Sequence, residues 1–496
     1  STFFSDVYRL PPAHTLTVTS QGVRVQRYWS LDPGPELRLS SDEAYAEAFL
    51  EVFTEAVRCR LRSAGPVGSM LSGGMDSGSV VAVARTLLAE AGQGPLPTFS
   101  GVGSDPRACI ETRSIQASLT MEGLAPTTVC LDKVDQLTPE LDDLTWELDE
   151  PFDNDMTLPR AVYLAARRKG VKVLFDGAGG DCVFAEGSYL ARLLRSGRWL
   201  TAYREAVGQE RFWDDAVPAW KEVYRSARTA FVPNWARRLR RNLNYWPDLE
   251  PALGCSIINR DFARRVFLAE RLKTLDEHRW GRALPSYGAE RAKSIDHPFL
   301  AVGRERYDRV AASVAVEPRD PFLDRRVVAF CLSLPGEQLL RGGWPKIILR
   351  RAMADRLPDA VRWRRGKEDL GWPFTAALIE KTRGRLSANL DANAQLLKPY
   401  IDLDALRHVR QMATNGSDGG EENKQTEYDV AHLAVWLSRH KERPKLVGEL
   451  QSIELTNQAL SRSSVEEEGG QSKGLTAAER QLRARANKRQ GVLSRA

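Results

Sequence analysis

Residues 66–85 read PVGSMLSGGMDSGSVVAVAR. A short apolar run, Val67–Leu71, ends in Ser72-Gly73-Gly74, and Asp76 and Ser77 open a pattern that continues as a helix. Glycines let backbone N–H groups approach a phosphate closely. The hydroxyls of Ser72 and Ser77 add donors, and a helix N-terminus adds positive potential. A carboxylate beside phosphate is repelled unless it holds a divalent cation, which makes Asp76 a candidate Mg²⁺ ligand. The turn lacks the lysine of GxxxxGK[ST] and is not a Walker loop. A second apolar run leads into DGAGGDCVF and places Gly177, Gly179, Gly180 and Asp181 at another strand exit. Two exits of this kind can face one Mg²⁺–polyphosphate from either side. Lys346 in GGWPKIILRRAM and Lys367 in RWRRGKEDLGW sit beside glycine and tryptophan rather than in a charge run. Both are candidates for contact with phosphate oxygens, whereas Arg350 and Arg351 read as structural pairing partners.

These residues need a scaffold of strands and helices. Strand candidates are Val67–Leu71, Leu96–Val102, Thr127–Leu131 and Val171–Phe175, with helical stretches at 77–91, 108–122 and 157–169 between them. Such alternation predicts a parallel sheet covered on both faces, an α/β doubly wound fold whose ligands bind outside the carboxyl ends of the strands. Ser40-Ser41-Asp42-Glu43 caps a helix that runs to about Arg62, with Leu50, Phe53 and Val57 on its inner face. Residues 14–29 alternate around Gln21-Gly22 and read as a hairpin, a unit that is marginal alone. Residues 186–300 break the strand–helix rhythm and read as a helical insert rich in arginine and tryptophan. Helical patterning resumes from Arg325 to about His440. The tail from 441 to 496 loses periodicity and reads as largely disordered and basic.

Composition narrows the class. With 42% hydrophobic and 27% charged residues in 496, the chain is an ordinary globular sequence long enough for a large core. A net charge of +6, from 71 basic and 65 acidic residues, suits anionic ligands but is no nucleic-acid footprint. Cys59, Cys109, Cys130, Cys182, Cys255 and Cys331 have neither CxxC nor zinc-ligand spacing and read as reduced cytoplasmic thiols. No signal peptide and no membrane span is expected.

SGGMDS, GAGGD, EPRDPFLD and KIILRRAM…RRGKE occur in an order and context that resemble the synthetase domain of class B asparagine synthetases. That superfamily also holds β-lactam synthetase, carbapenam synthetase and the lasso peptide cyclases. The resemblance implies an ATP-pyrophosphatase type of sheet with a large helical insert and a helical C-terminal part over 40–440. It implies that residues 1–39, with YRLPPAHTLTV and RYWSL, are the linker remnant of a missing N-terminal glutaminase-like domain. Ser72, Gly73, Gly74, Asp76 and Ser77 match the pyrophosphate loop, with Gly180 in the second turn. Leu71, Ser100 and Gly177 match adenosine contacts, and Asp76 and Asp181 match the two Mg²⁺ carboxylates. Lys346 and Lys367 match the polyphosphate lysines, with Lys367 stabilising developing charge. Glu317 matches a catalytic glutamate. Two departures stand out: Ala178 replaces a Glu or Tyr of relatives, and Cys182 replaces a Glu.

The expected activity is ATP-dependent amide-bond formation, in which a carboxylate is adenylated with release of pyrophosphate and an amine then displaces AMP. The best expectation is a peptide or specialised-metabolite ligase of lasso-cyclase type. The alternatives are asparagine synthesis, β-lactam-type cyclisation, a non-catalytic nucleotide-binding scaffold subunit and an RNA-modifying ATP pyrophosphatase. Expected partners are a small-molecule or peptide carboxylate and amine, with a separate glutaminase, leader-peptide-binding protein or protease, and neither nucleic acid nor membrane.

Overall fold

The computed structural model describes residues 2–441, apart from 5–6, 108, 148–149, 152, 154–155, 214–216, 234, 237–238, 240–255, 273–285, 367, 369 and 415–419. An antiparallel hairpin, β1 (His14–Thr19) and β2 (Gly22–Arg27), comes first, and its cross-strand pairs Leu16/Val25 and Val18/Val23 are exposed. Arg9, just before it, is fixed to Glu150 and Glu305. Helix α1 (Asp42–Arg60) starts where the capping pattern predicts, with the Ser41 side chain accepting the Ala44 N–H. Phe53 and Val57 are fully buried on its inner face.

The sheet is built from β3 (Val67–Met70), β4 (Leu96–Val102), β5 (Leu124–Cys130), β6 (Val173–Phe175) and β7 (Glu317–Arg319). Their order is β5-β4-β3-β6-β7 and every neighbouring pair is parallel. The chain runs outward from β3 through β4 to β5, then returns to the other side of β3 for β6 and β7. Strand order therefore reverses between β3 and β6, and the crevice at their carboxyl ends is the switch point of the fold. β7 was not foreseen: a three-residue edge strand of sequence Glu-Pro-Arg carries no apolar alternation to read.

Helix α2 (Met75–Glu90) packs on β3 and β4 beneath α1. It is buried nearly all round, with Val80, Val81, Ala82 and Ala84 inaccessible to solvent. Each such valine contributes about 1.5–3 kcal/mol of burial free energy. Helix α3 (Ile110–Ser118) follows β4, and α4 (Thr138–Trp146) and α5 (Thr157–Arg168) follow β5. The other face is covered by α5, which packs on β4 and β5.

After β6 comes a short helix, α6 (Gly180–Val183), and then the helical insert. Its described helices are α7 (Tyr189–Arg195), α8 (Trp199–Phe212), α9 (Ala219–Phe231), α10 (Arg260–Arg265), α11 (Tyr287–Ile295) and α12 (Pro298–Ala312). Beyond β7 lie α13 (Arg325–Leu332), the small hairpin β8 (Leu340–Arg341) and β9 (Trp344–Pro345), α14 (Ile347–Ala352) and α15 (Asp359–Arg362). The C-terminal helices are α16 (Gly371–Leu397), α17 (Leu403–Thr414) and α18 (Gly420–Lys441). Of the tail expected to be disordered from 441 to 496, Lys441 ends α18 and residues 442–496 lie outside the described residues. The five described cysteines are all free thiols, and Cys255 is not among them. No described helix is long and apolar enough to cross a membrane.

Candidate active site

β3 ends at Met70, and Leu71, fully buried, donates its N–H to Phe99 O at 2.9 Å. The chain then turns through Gly73 at φ +71°, where a Cβ would sit 2.8 Å from both Glu111 O and Ile115 N. Glycine is required there on both counts. The Ser77 hydroxyl accepts the Ser72 N–H at 3.1 Å and shares a 2.9 Å hydrogen bond with the Ser72 hydroxyl. Gly74, the N-cap of α2, supplies no capping side chain. A helix N-terminus without a side-chain cap favours an anion close to it.

The second turn approaches the first closely. Asp176, at the end of β6, accepts the Ala178 N–H at 2.6 Å and so folds the chain back on itself. A Cβ on Gly177 would lie 2.6 Å from Ser77 N, and one on Gly180 would lie 2.5 Å from Asp76 Cγ. The glycines at 177 and 180 are thus dictated by the approach of two loops, and the one at 179, with φ +87°, by backbone conformation.

Lys346 enters from β9. It is held in the left-handed region, at φ +57°, as the N-cap of α14. A non-glycine residue there costs on the order of 1 kcal/mol or more, a strain found most often at functional positions. Its ammonium donates to Asp76 Oδ2 at 2.5 Å and to Asp181 Oδ1 at 2.6 Å. Burial disfavours the charged lysine, but the Asp76 and Asp181 carboxylates outweigh it and hold its pKa above the ordinary value.

Ser72, Asp76, Ser77, Gly177, Asp181 and Lys346 all line one cavity of about 430 Å³. Gly74 lines it too, while Gly73 and Gly180 support the loops from behind. A second cavity of about 410 Å³ is lined largely by apolar side chains, among them Leu71, Phe99, Met156 and Leu158. Met70, Ser72, Glu111 and Tyr307 are common to both cavities, so the two adjoin.

Other expected positions fall elsewhere. Ser100 is buried within β4, and its neighbours Phe99 and Gly101, not Ser100 itself, line the second cavity. Glu317 is not brought to this group. It begins β7 level with Val173, at the amino end of the sheet, whereas both turns leave from the carboxyl ends. Its side chain is 58% exposed and paired with Arg319 at 2.7 Å. That guanidinium holds the Glu317 carboxyl below the usual range, burial opposing weakly. Lys367 lies outside the described residues.

The structure also adds residues. Arg350 and Arg364 line the first cavity, as do Phe212 and Trp213 from the end of the insert helix α8. Arg351, in contrast, pairs with Asp42 at 2.9 Å, as read from the sequence. A signal for Arg350 was available: it follows the N-cap Lys346 by four residues, one turn along the same helix. At the end of β7, Asp320 shares Arg304 with Asp176. Burial, with the Asp176 charge beside it, raises the Asp320 pKa strongly.

A parallel sheet whose switch point carries two glycine–aspartate turns and a shared lysine is a nucleotide-site fold of the ATP-pyrophosphatase type. A family model described as Asparagine synthase matches residues 48–438, and the chain belongs to that family. Among its relatives is Asparagine synthetase [glutamine-hydrolyzing] 3 of Bacillus subtilis, 23% identical over 376 residues, which are 73% of this chain and 54% of that protein. Asparagine synthetase [glutamine-hydrolyzing] 1 of the same organism is 23% identical over 468 residues, 91% of this chain and 68% of that protein. A Putative asparagine synthetase [glutamine-hydrolyzing] of Mycobacterium tuberculosis is 24% identical over 382 residues, 67% of this chain and 51% of that protein. The chain thus spans about half to two thirds of the length of these relatives.

Proposed function

We propose that this chain is an ATP-dependent carbon–nitrogen ligase. A substrate carboxylate attacks the α-phosphorus of ATP and pyrophosphate leaves. An amine then attacks the acyl carbon of the adenylate, loses a proton, and releases AMP. The observation that carries the reading is the convergence of Asp76, Asp181 and Lys346 at the switch point, over the Ser72–Ser77 loop.

The carboxylates fit Mg²⁺. Both direct an oxygen at one cation, the Lys346 ammonium, so the pair is close enough to share a single ion. Among the described residues no group of three or more His, Cys, Asp or Glu could hold a metal. That suits an ion which takes one or two carboxylates and completes its shell with phosphate and water. Asp76 and Asp181 would hold it, and its chemistry is neutralisation of charge on pyrophosphate as that group departs. Lys346 binds the polyphosphate from the β9 side, and Lys367 is assigned to the same work. The apolar second cavity receives the adenosine, with Leu71 in its wall. The walls exclude water, which would otherwise hydrolyse the adenylate.

For the acceptor, the reading is a peptide or specialised metabolite, in a macrolactam-forming reaction of lasso-cyclase type. Ala178 lines the cavity with no more than a methyl group, and Phe212 and Trp213 bring the insert to its mouth. A glutaminase-type segment or chain is assigned to the exposed apolar face of the β1–β2 hairpin, and the compartment is read as cytoplasmic. Asparagine synthesis from aspartate is the second reading, favoured by the names of the relatives. Mass spectrometry of reactions with ATP and Mg²⁺ separates them. A peptide lighter by one water, formed with AMP, supports the first reading, and aspartate converted to asparagine supports the second. A chain that catalyses no ATP–pyrophosphate exchange with any carboxylate refutes both.

A further inference from the structure

Arg350 lies on α14, one turn after Lys346, and is only 3% exposed. Its Nε donates to Pro345 O at 2.8 Å and its Nη1 to Arg362 O. Three rings enclose it: Trp344 at 5.0 Å, Phe212 at 5.6 Å and Trp363 at 5.9 Å from the guanidinium carbon. Aromatic faces and carbonyls stabilise a cation without cancelling its charge. No carboxylate forms an ion pair with Arg350 among the described residues, nor with Arg364, which lines the same cavity. Arg364 donates Nη1 to Gly73 O at 3.1 Å, on the back of the Ser72–Ser77 turn.

The contrast with Lys346 matters. That ammonium is met by two carboxylates, so little of its charge reaches further. Of the other acids of the cavity wall, Asp176 turns to Arg304 and Glu186 to Gln209, while Glu111 lies in the field of Arg364. Two guanidinium groups therefore face one cavity with no carboxylate in salt-bridge contact among the described residues. Burial pushes the Arg350 pKa down to about 10; Asp76 opposes this across the cavity and Arg364 adds to it. Two like charges held together in a partly dehydrated wall are stabilised by a polyvalent anion, and a planar fork binds phosphate oxygens in pairs.

We propose that Arg350 and Arg364 form a guanidinium clamp for the phosphate oxyanions of ATP, separate from the Lys346–carboxylate cluster and steadied by the Trp344, Trp363 and Phe212 box. The inference rests on the ligase reading above and names a further pair of residues at that site. The oxyanion has two sources, the β,γ-phosphates that leave as pyrophosphate and the α-phosphate retained in AMP.

Calorimetric titration of inorganic pyrophosphate, AMP and ATP, each with Mg²⁺, into wild type, Arg350→Gln and Arg364→Gln tests the clamp. Both variants are expected to weaken ATP by about ten-fold or more, the loss of one charge-assisted hydrogen bond, together with either pyrophosphate or AMP. If AMP stays within about two-fold of wild type, the clamp holds the leaving group. If AMP weakens in parallel, it holds the α-phosphate. Wild-type affinity for pyrophosphate and ATP in the variants overturns the clamp while leaving the ligase reading intact. A wild type that binds neither ATP nor pyrophosphate overturns the ligase reading and the clamp with it. Circular dichroism and thermal melting check the fold. Should the buried Arg350→Gln fail to fold, the half-buried Arg364→Gln decides alone, and its unchanged ATP affinity overturns the proposal.

Discussion

Gly177→Ala probes how tightly the two turns are joined. Gly177 has no positive φ, so alanine costs nothing in backbone strain; the whole effect is contact. The added Cβ would sit 2.6 Å from Ser77 N, 2.8 Å from Asp76 Cβ and 2.9 Å from Asp76 C. These lie roughly 1 Å inside ordinary separations of about 3.5–4.0 Å. Two of the three atoms are backbone in the first turn of α2, a helix packed against the sheet and α1, so they cannot swing aside. Overpacking of this kind costs about 1–3 kcal/mol. Relief requires the turns to separate by a similar fraction of an ångström to 1 Å, moving Asp76 away from Asp181. A misplacement of that size costs on the order of 10²-fold in rate. Urea unfolding and ATP–pyrophosphate exchange read the two effects. Gly94→Ala is the control, because nothing lies within 4 Å of a Cβ there, and it is expected to be neutral or stabilising by about 0.5 kcal/mol. A Gly177→Ala protein with wild-type stability and full exchange would refute the close packing of the two turns.

Three further outcomes are expected. Asp76→Asn and Asp181→Asn each abolish ATP–pyrophosphate exchange with little loss of secondary structure, since each removes a full charge from the cation site; near-normal exchange in both removes the two-carboxylate assignment. His432 is stacked on Trp146 at 4.0 Å, and burial pushes its pKa down to about 3. A histidine depressed from 6.5 keeps its full contribution above pH 6.5 and loses it as the pH falls toward 3, so His432→Phe should flatten the acid limb of a stability–pH curve; an unchanged limb contradicts this. For Asp324, burial opposes ionisation but Arg326 and Arg60 outweigh it and hold its pKa far below the usual range. Its contribution is present above about pH 4 and lost below it, and Asp324→Ala should cost about 3 kcal/mol at neutral pH by chemical denaturation.

The strand–helix rhythm from Val67 to Phe175 was legible because buried parallel strands are continuous apolar runs and the helices between them are periodic. The two aspartates and their glycines were legible because close approach and left-handed turns leave few residue choices. β7 was illegible, since its Glu-Pro-Arg sequence has no pattern and its place is set by the neighbouring strand β6. Placement along a strand is equally invisible in a motif. Glu317 and Asp320 stand three residues apart, yet one begins β7 in solvent and the other follows it in a buried acid pair with Asp176. Arg350 and Arg351 read alike in the sequence, as structural pairing partners, because two adjacent arginines carry no signal of which way each side chain turns. Only the fold shows that Arg351 turns to Asp42 while Arg350 turns into three aromatic rings.

The insert reads in the sequence as a helical block that breaks the strand–helix rhythm, and in the fold its helix α8 is part of the site's frame. The buried Glu205 carboxylate accepts the Gly343 N–H at 2.9 Å, and a Cβ on Gly343 would lie 1.9 Å from Gly208 C. The β8–β9 turn is therefore pressed onto the backbone of α8, and only glycine fits on either side of that contact. Four residues further along α8, Phe212 O accepts the Gly366 N–H at 2.9 Å, and its ring closes the box around Arg350. The turn that α8 grips leads directly into Lys346 and α14. The Lys346 ammonium, the Arg350 guanidinium and the segment before residue 367 are thus all tied to one helix, so a substitution that shifts α8 must disturb the three together.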